Sequence, residues 1–189
     1  VVVKPFYVPV TARMLRDSGV AVSTVIGFPH GGQAPEVKIG TATNALRDGA
    51  TELDMVINIG ALIDKDYETI ELEIASIVGL AHAHEAIVKV ILETAYLDDA
   101  QKAIAAQISV AAGADYVKTS TGFAPEGATI EDVKLLRQVV GDKAKVKASG
   151  GIRTLDDALA MIAAGASRLG TSSTAEILAD LRRRRGEEA

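Results

Sequence analysis

One repeated unit, helix then glycine then strand, constrains this chain more than any other feature. Four helical stretches end in the tetrapeptides Asp17-Ser-Gly-Val, Asp48-Gly-Ala-Thr, Ala112-Gly-Ala-Asp and Ala164-Gly-Ala-Ser. Gly19, Gly49, Gly113 and Gly165 therefore stand where a left-handed residue closes a helix before the next strand. Seven β-rich runs recur, at 1–3, 20–26, 52–59, 86–92, 116–118, 145–148 and 168–170. The stretches between them predict helices at about 9–18, 34–48, 66–83, 98–112, 129–140, 154–164 and 174–185. Thr129 with Asp132, and Thr154 with Asp157, read as helix N-caps.

Alternating β and α with nearly continuous apolar strands means a parallel sheet covered by helices. A doubly wound sheet usually carries a G-x-G-x-x-G turn after its first strand, and none is present. Instead polar and glycine-rich residues follow strand after strand: Gly27-Phe-Pro-His-Gly-Gly, Asn58-Ile-Gly, Glu93-Thr, Thr119-Ser-Thr-Gly, Ser149-Gly-Gly and Thr171-Ser-Ser. A (β/α)8 barrel, the TIM barrel, builds its site in this way, on the loops at the strand C-termini. The 189 residues suit one such domain, spanning 1–189, with 182–189 as a polar tail. Seven strands are counted rather than eight, so the first βα unit is expected upstream of Val1.

Composition narrows the function classes. A net charge of -5 argues against a nucleic-acid partner, because phosphate backbones need a basic field. The arginines at 182–185 read as a solvated helix end, since cations suit a helix C-terminus. With no cysteine, thiol nucleophiles and Cys-based zinc sites are excluded. His30, His82 and His84 form no ligand pattern and read as surface residues, so no metal is expected. No apolar run is long enough to span a membrane and no signal peptide is recognisable, which points to a cytoplasmic protein.

Chemistry concentrates at three strand positions. Strand residues alternate between barrel interior and helix layer. Lys118 closes its strand, and Lys147 lies one residue from the end of the next, so both can point into the mouth. Lys145 lies lower in the same strand and reads as structural. Glu52, Asp54, Val56 and Asn58 share one face, and an Asp in mid-strand needs cationic partners. Lys89 is a candidate to pair with Asp54 or Glu93. Lowering a lysine from about 10.4 to about 7 takes roughly 4.6 kcal/mol. A second ammonium about 4 Å away supplies ~4 kcal/mol at an effective dielectric of ~20, and desolvation adds to it. Two mouth-facing lysines can thus yield one neutral amine, able to form a Schiff base with a carbonyl while Asp54 relays protons. Ser149-Gly-Gly-Ile and Gly170-Thr-Ser-Ser, at consecutive strand ends before helices, favour phosphate. A phosphosugar isomerase, or a barrel that binds phosphate or self-associates without turnover, remains compatible with these residues.

Taken together, Val22-Ser-Thr-Val-Ile-Gly-Phe-Pro, Glu52-Leu-Asp-Met-Val-Ile-Asn-Ile-Gly, Lys89-Val-Ile-Leu-Glu-Thr, Val117-Lys-Thr-Ser-Thr-Gly-Phe, Val146-Lys-Ala-Ser-Gly-Gly-Ile-Arg and Arg168-Leu-Gly-Thr-Ser-Ser resemble the deoxyribose-phosphate aldolases from about Val1 to Ala179. The resemblance implies a class I aldolase without metal or cofactor, cleaving 2-deoxy-D-ribose 5-phosphate to glyceraldehyde 3-phosphate and acetaldehyde. It implies Lys118 as the Schiff-base lysine, Lys147 as the lysine that perturbs it and Asp54 as proton donor and acceptor. Thr121, Gly150, Gly151, Gly170, Ser172 and Ser173 match phosphate-side positions. It also implies a homo-oligomer, a dimer or larger. Three departures stand out: the family's first-strand Asp-His-Thr-Leu-Leu motif has no counterpart, Lys4 replaces a neutral residue near a strand end, and the sequence reads Arg185-Gly-Glu-Glu-Ala where some members carry a Tyr tail that assists proton transfer.

Overall fold

A computed structural model describes residues 1–186. In chain order its elements are β1 (Val2–Val3), α1 (Val8–Met14), β2 (Ser23–Ile26), α2 (Pro35–Arg47), β3 (Glu52–Val56), α3 (Ile59–Ile63), α4 (Tyr67–His82), β4 (Ile87–Ile91), α5 (Asp99–Ala111), β5 (Tyr116–Lys118), α6 (Ile130–Val140), β6 (Lys145–Ser149), α7 (Leu155–Ala163), β7 (Arg168–Gly170) and α8 (Thr174–Arg185). The seven strands form one all-parallel sheet in the order β1-β2-β3-β4-β5-β6-β7. In a flat sheet β3 and β7 would lie about 19 Å apart. Yet Arg168 on β7 reaches Glu52 on β3 at 2.7 Å, so the sheet is curled into part of a barrel.

Curling sorts the strand residues by alternation. Leu53, Met55, Val88, Val90, Val117, Val146 and Ala148 turn outward into the hydrophobic core beneath the helices. Their neighbours Asp54, Lys89, Lys118 and Lys147 turn inward and are also buried. The helix α4 shows why the outer layer holds: Ile70, Ile74, Ile77, Val78 and Ala81 recur at helical spacing and are all buried. Each such Ile stabilises the fold by roughly 1.5–3 kcal/mol.

Three of the four helix exits follow the sequence reading: Gly49, Gly113 and Gly165 have φ of 103°, 86° and 114°. The fourth is corrected, because α1 ends at Met14 and Asp17 (φ 64°) takes the left-handed place ahead of Gly19, whose own φ is 72°. After α2, the N–H of Gly49 bonds to the Leu46 carbonyl and that of Ala50 to the Ala45 carbonyl. This paired closure is repeated at Gly113–Ala114 and Gly165–Ala166. The same exit also follows α4, where Glu85 takes the left-handed place (φ 57°) without being glycine, so the sequence repeat hides it. Thr129 and Thr154 cap α6 and α7 as expected. Two further expectations are corrected. The strand at 52–59 ends at Val56, and Asn58 turns away to cap the unforeseen α3 by accepting the Ala61 N–H. The arginines at 182–185 form the end of α8, in line with the helix-end reading, so the polar tail expected over 182–189 cannot begin at 182; 187–189 lie outside the described residues.

One buried ion pair in the helix layer was not foreseen. Lys38 of α2 is 0% exposed and donates to Glu73 of α4 at 2.6 Å and to the Val56 carbonyl at 2.9 Å. Glu73 also accepts the Asn58 N–H at 3.2 Å. Burial lowers the Lys38 pKa and raises that of Glu73, and each charge opposes the shift of the other. A Cβ on Gly27 would lie 2.7 Å from the Lys38 Cε, so the lysine stem occupies the space that this glycine leaves. Removing one partner strands the other. Lys38→Ala should therefore destabilise by about 3–5 kcal/mol, whereas Lys38→Met with Glu73→Leu should be close to neutral. Urea unfolding of both variants checks this, and an equal loss in the two would refute it.

Candidate active site

The inward face of β3 through β7 carries a continuous charged layer. Asp54 of β3 is 0% exposed. Its Oδ2 accepts from Lys118 Nζ of β5 at 2.8 Å and from Lys147 Nζ of β6 at 2.7 Å. Its Oδ1 accepts from Lys89 Nζ of β4 at 2.8 Å and from Ser23 Oγ of β2 at 3.0 Å. Lys89 also pairs with Glu52 at 2.6 Å, and Glu52 holds Arg168 through both carboxylate oxygens at 2.8 and 2.7 Å. Four cations thus face two carboxylates.

Parallel register makes this convergence possible. Asp54 is directly opposite Lys89, and Lys118 opposite Lys147. Alternation then keeps all four on the inner face. Lys145 starts β6 on the same face but is exposed, its ammonium 5.7 Å from the centre of the Tyr116 ring.

The charges move the titrations in opposite directions. Burial alone would raise the Asp54 pKa, but Lys118, Lys147 and Lys89 overcome it and hold the carboxyl well below the usual range. Lys147 is pushed down to about 8, first by burial and then by Lys118 and Lys89, while Asp54 opposes the shift. From the sequence the second ammonium is expected to be the main perturbation, but in the folded protein burial is larger, and it is Lys147 that is depressed.

Above this layer opens a cavity of about 1170 Å³. Lys118, Lys147, Thr121, Gly150, Gly151, Gly170 and Ser172 line it. Asp54 does not, and lies beneath the lysines. Ser173 is also outside the lining and donates its N–H to Thr171 Oγ1 at 2.9 Å. Thr171 in turn donates to the Ile152 carbonyl at 2.6 Å, tying the two phosphate-side loops together. Gly150 and Gly151 have φ of 83° and 79°, a backbone that residues with a Cβ rarely adopt. Thr119 links the ends of β5 and β6: its hydroxyl accepts the Ser149 N–H at 3.1 Å and donates to the Ser149 carbonyl at 3.2 Å. Lys4 is exposed and does not line the cavity.

Two participants escaped the sequence reading, and a third was placed without its partners. Ser23 gave no signal in its strand, and Arg168, which shares the face of Gly170, was accessible to the alternation rule. Glu52 was placed on the Asp54 face, but its pairing with Lys89 and Arg168 was not read. Glu93 was a candidate partner for Lys89, but its carboxylate instead accepts the Thr121 N–H at 3.1 Å and the Thr121 hydroxyl.

Asp54 compensates three buried ammoniums, so Asp54→Asn should lose about 3–5 kcal/mol at pH 7. Because the folded carboxyl titrates below its ordinary 3.8, this contribution is complete above that pH and fades as pH falls beneath it. Denaturant titrations should show a wild-type advantage over Asp54→Asn that is full at pH 7 and shrinks below pH 3.8.

Comparison with known proteins agrees with this geometry. The family model described as DeoC/LacD family aldolase matches residues 1–178. A deoxyribose-phosphate aldolase of Caldicellulosiruptor saccharolyticus is 54% identical over 181 residues, covering 95% of this chain and 82% of that protein. One from Thermococcus kodakarensis is 54% identical over 180 residues, covering 94% and 80%. The tetrameric deoxyribose phosphate aldolase of Aeropyrum pernix superposes with a TM-score of 0.88 at 38% identity, over 96% of this chain and 76% of that one. With inward lysines on adjacent strands and glycine-rich loops above them, the chain belongs to the DeoC/LacD aldolase family.

Proposed function

We propose that this chain is a class I aldolase that reversibly cleaves 2-deoxy-D-ribose 5-phosphate to D-glyceraldehyde 3-phosphate and acetaldehyde. The observation that carries the reading is the pair Lys118 and Lys147 on one Asp54 oxygen, at the floor of the cavity.

In the open-chain sugar C1 is an aldehyde. The neutral amine of Lys118 adds to it, and loss of water gives an imine. The protonated imine draws electrons from the C2–C3 bond, which breaks as the C3 hydroxyl gives up its proton. The three-carbon aldehyde leaves, the enamine is protonated at C2, and water releases acetaldehyde and restores Lys118. Lys147, charged and adjacent, disfavours a second ammonium at Lys118 and can pass protons at Nζ. Asp54 stays ionised near neutrality and does not line the cavity. It orients both lysines and takes protons through them. That role follows from its charge better than that of a free acid. At the other end of the substrate, the C5 phosphate fits the backbone N–H groups and hydroxyls of Gly150, Gly151, Gly170 and Ser172. Thr121 and Ser173 stand beside them.

The substrates are small phosphosugars and aldehydes, with no nucleic acid or membrane as partner. No helix among the described residues is long and apolar enough to cross a membrane. We take the protein to act in the cytoplasm, where phosphorylated sugars are retained, and as a homo-oligomer, as its tetrameric Aeropyrum relative does.

Borohydride added to protein and deoxyribose 5-phosphate should leave one reduced adduct on Lys118, located by peptide mass spectrometry, with acetaldehyde released when the reductant is omitted. Lys118→Ala should show neither, and an adduct on that variant would overturn the assignment. Burial and the neighbouring ammoniums bring the Lys147 titration down to about 8, so the positive charge on this pair of lysines falls through that region. Activity should therefore rise with pH through that region. Lys147→Leu should cut kcat/KM roughly 100-fold or more and move the rising limb upward. A pH–rate profile identical to wild type would remove the coupling.

A further inference from the structure

The end of β4 carries a residue that the proposed mechanism leaves unused. Glu93 is 2% exposed and sits in the left-handed region, with φ 56° and ψ 65°. That backbone is uphill for a residue with a Cβ, and such conformations persist where surrounding contacts over-determine them. The contacts here are explicit. Leu92 donates its N–H to the Lys118 carbonyl at 2.9 Å and Thr94 to the Thr119 carbonyl at 3.0 Å. Glu93 is thereby looped out between two ladder bonds, and its side chain is turned toward the loop that follows Lys118.

Its carboxylate has no cationic partner among the described residues. It is used on a single neighbour, taking the Thr121 N–H at 3.1 Å and the Thr121 hydroxyl. The Thr121 Oγ1 then accepts the Phe123 N–H at 3.1 Å. Phe123 meets Phe28, from the loop after β2, edge to face with centroids 5.4 Å apart at 89°. Both rings line the cavity that contains Lys118. β2 and β5 are three strands apart, so this pair joins loops across the mouth. Phe123 is still 74% exposed with that contact made, and its partners here are Phe28 and the Thr121 hydroxyl.

We propose that Glu93 is a positioning residue of the site: by taking both donors of Thr121 it holds the loop after β5 so that Phe123 closes on Phe28 as an aromatic roof over the Lys118 cavity. Thr121 then has a different part from the phosphate-side one that the resemblance implies. Its N–H and O–H are both given to a carboxylate, so it acts as the link between Glu93 and Phe123 rather than as a phosphate donor. The roof covers the place where the imine forms, and there it limits the access of water. Its effect on turnover rests on the aldolase reading above, while its geometry does not.

The chain has 3 phenylalanines, which makes fluorine NMR of 4-fluorophenylalanine-labelled protein a direct readout. Phe28→Leu and Phe123→Leu assign the resonances. Glu93→Gln and Thr121→Val should each move the Phe28 and Phe123 signals and leave Phe6 in place, and Thr121→Ser, which keeps both donors, should restore the wild-type spectrum. In parallel, Glu93→Gln should lower kcat/KM roughly 10- to 100-fold while acetaldehyde and borohydride still modify Lys118. Unmoved Phe28 and Phe123 signals in a folded Glu93→Gln or Thr121→Val protein overturn the proposal. If the wild-type protein itself shows no Lys118 adduct, the aldolase reading falls, and the roof is then decided by the resonances alone.

Discussion

Everything at the centre of this fold depends on one buried carboxylate. Asp54 has no exposure to water, and its two oxygens receive three ammoniums and a serine hydroxyl. Neither side of that arrangement is tolerable alone. A carboxylate with no partner would be driven toward neutrality by burial, and three ammoniums without it would repel one another in a low-dielectric interior. Together they hold one lysine pair beneath an open cavity, with an excess of positive charge suited to an anionic substrate. Burial and the neighbouring ammoniums depress the Lys147 titration, and Asp54 opposes that shift.

The rest of the architecture serves this cluster. A parallel sheet places equivalent ends of all strands on one side, and alternation sends every second residue inward. Outward residues meet helices and form the apolar core, so the charged layer is surrounded by rigid packing. The Lys38–Glu73 pair shows the contrast. It too is a buried ion pair, but it lies in the helix layer, is matched one to one, and borders no cavity lining. Paired charge stabilises a packing arrangement there, whereas unmatched charge at the strand ends is available for chemistry.

Most of the fold was legible in the sequence because its signals are local. A glycine after a helix, a threonine three residues before an acidic N3 and a short apolar run each report their own surroundings, and seven strands and the main helices follow from them. The misses have the same explanation in reverse. Glu85 takes a left-handed exit without glycine, closed by the same pair of bonds back to α4, so a rule that looks for glycine passes over it. The helix α3 is short, and the run into it looked like strand. Lys38 and Glu73 read as ordinary surface residues of two helices, because nothing local states that the helices press them together.

The candidate site divides along the same line. By itself the sequence determined which chemistry was available: two lysines at strand ends, an aspartate in mid-strand, and glycine- and serine-rich turns after the last two strands. Periodicity also determined that these residues shared an inner face. Only the tertiary structure decided who meets whom. Lys147 lies 93 residues from Asp54 and Arg168 lies 116 from Glu52, and those contacts exist because the sheet curls. Curling also removes Asp54 from the cavity wall and makes burial the larger cause of the lysine shift, while the left-handed turn at the end of β4 gives Glu93 to Thr121 instead of Lys89. Local pattern fixes residue type and face. Distance and desolvation arise only when remote strands close on one another.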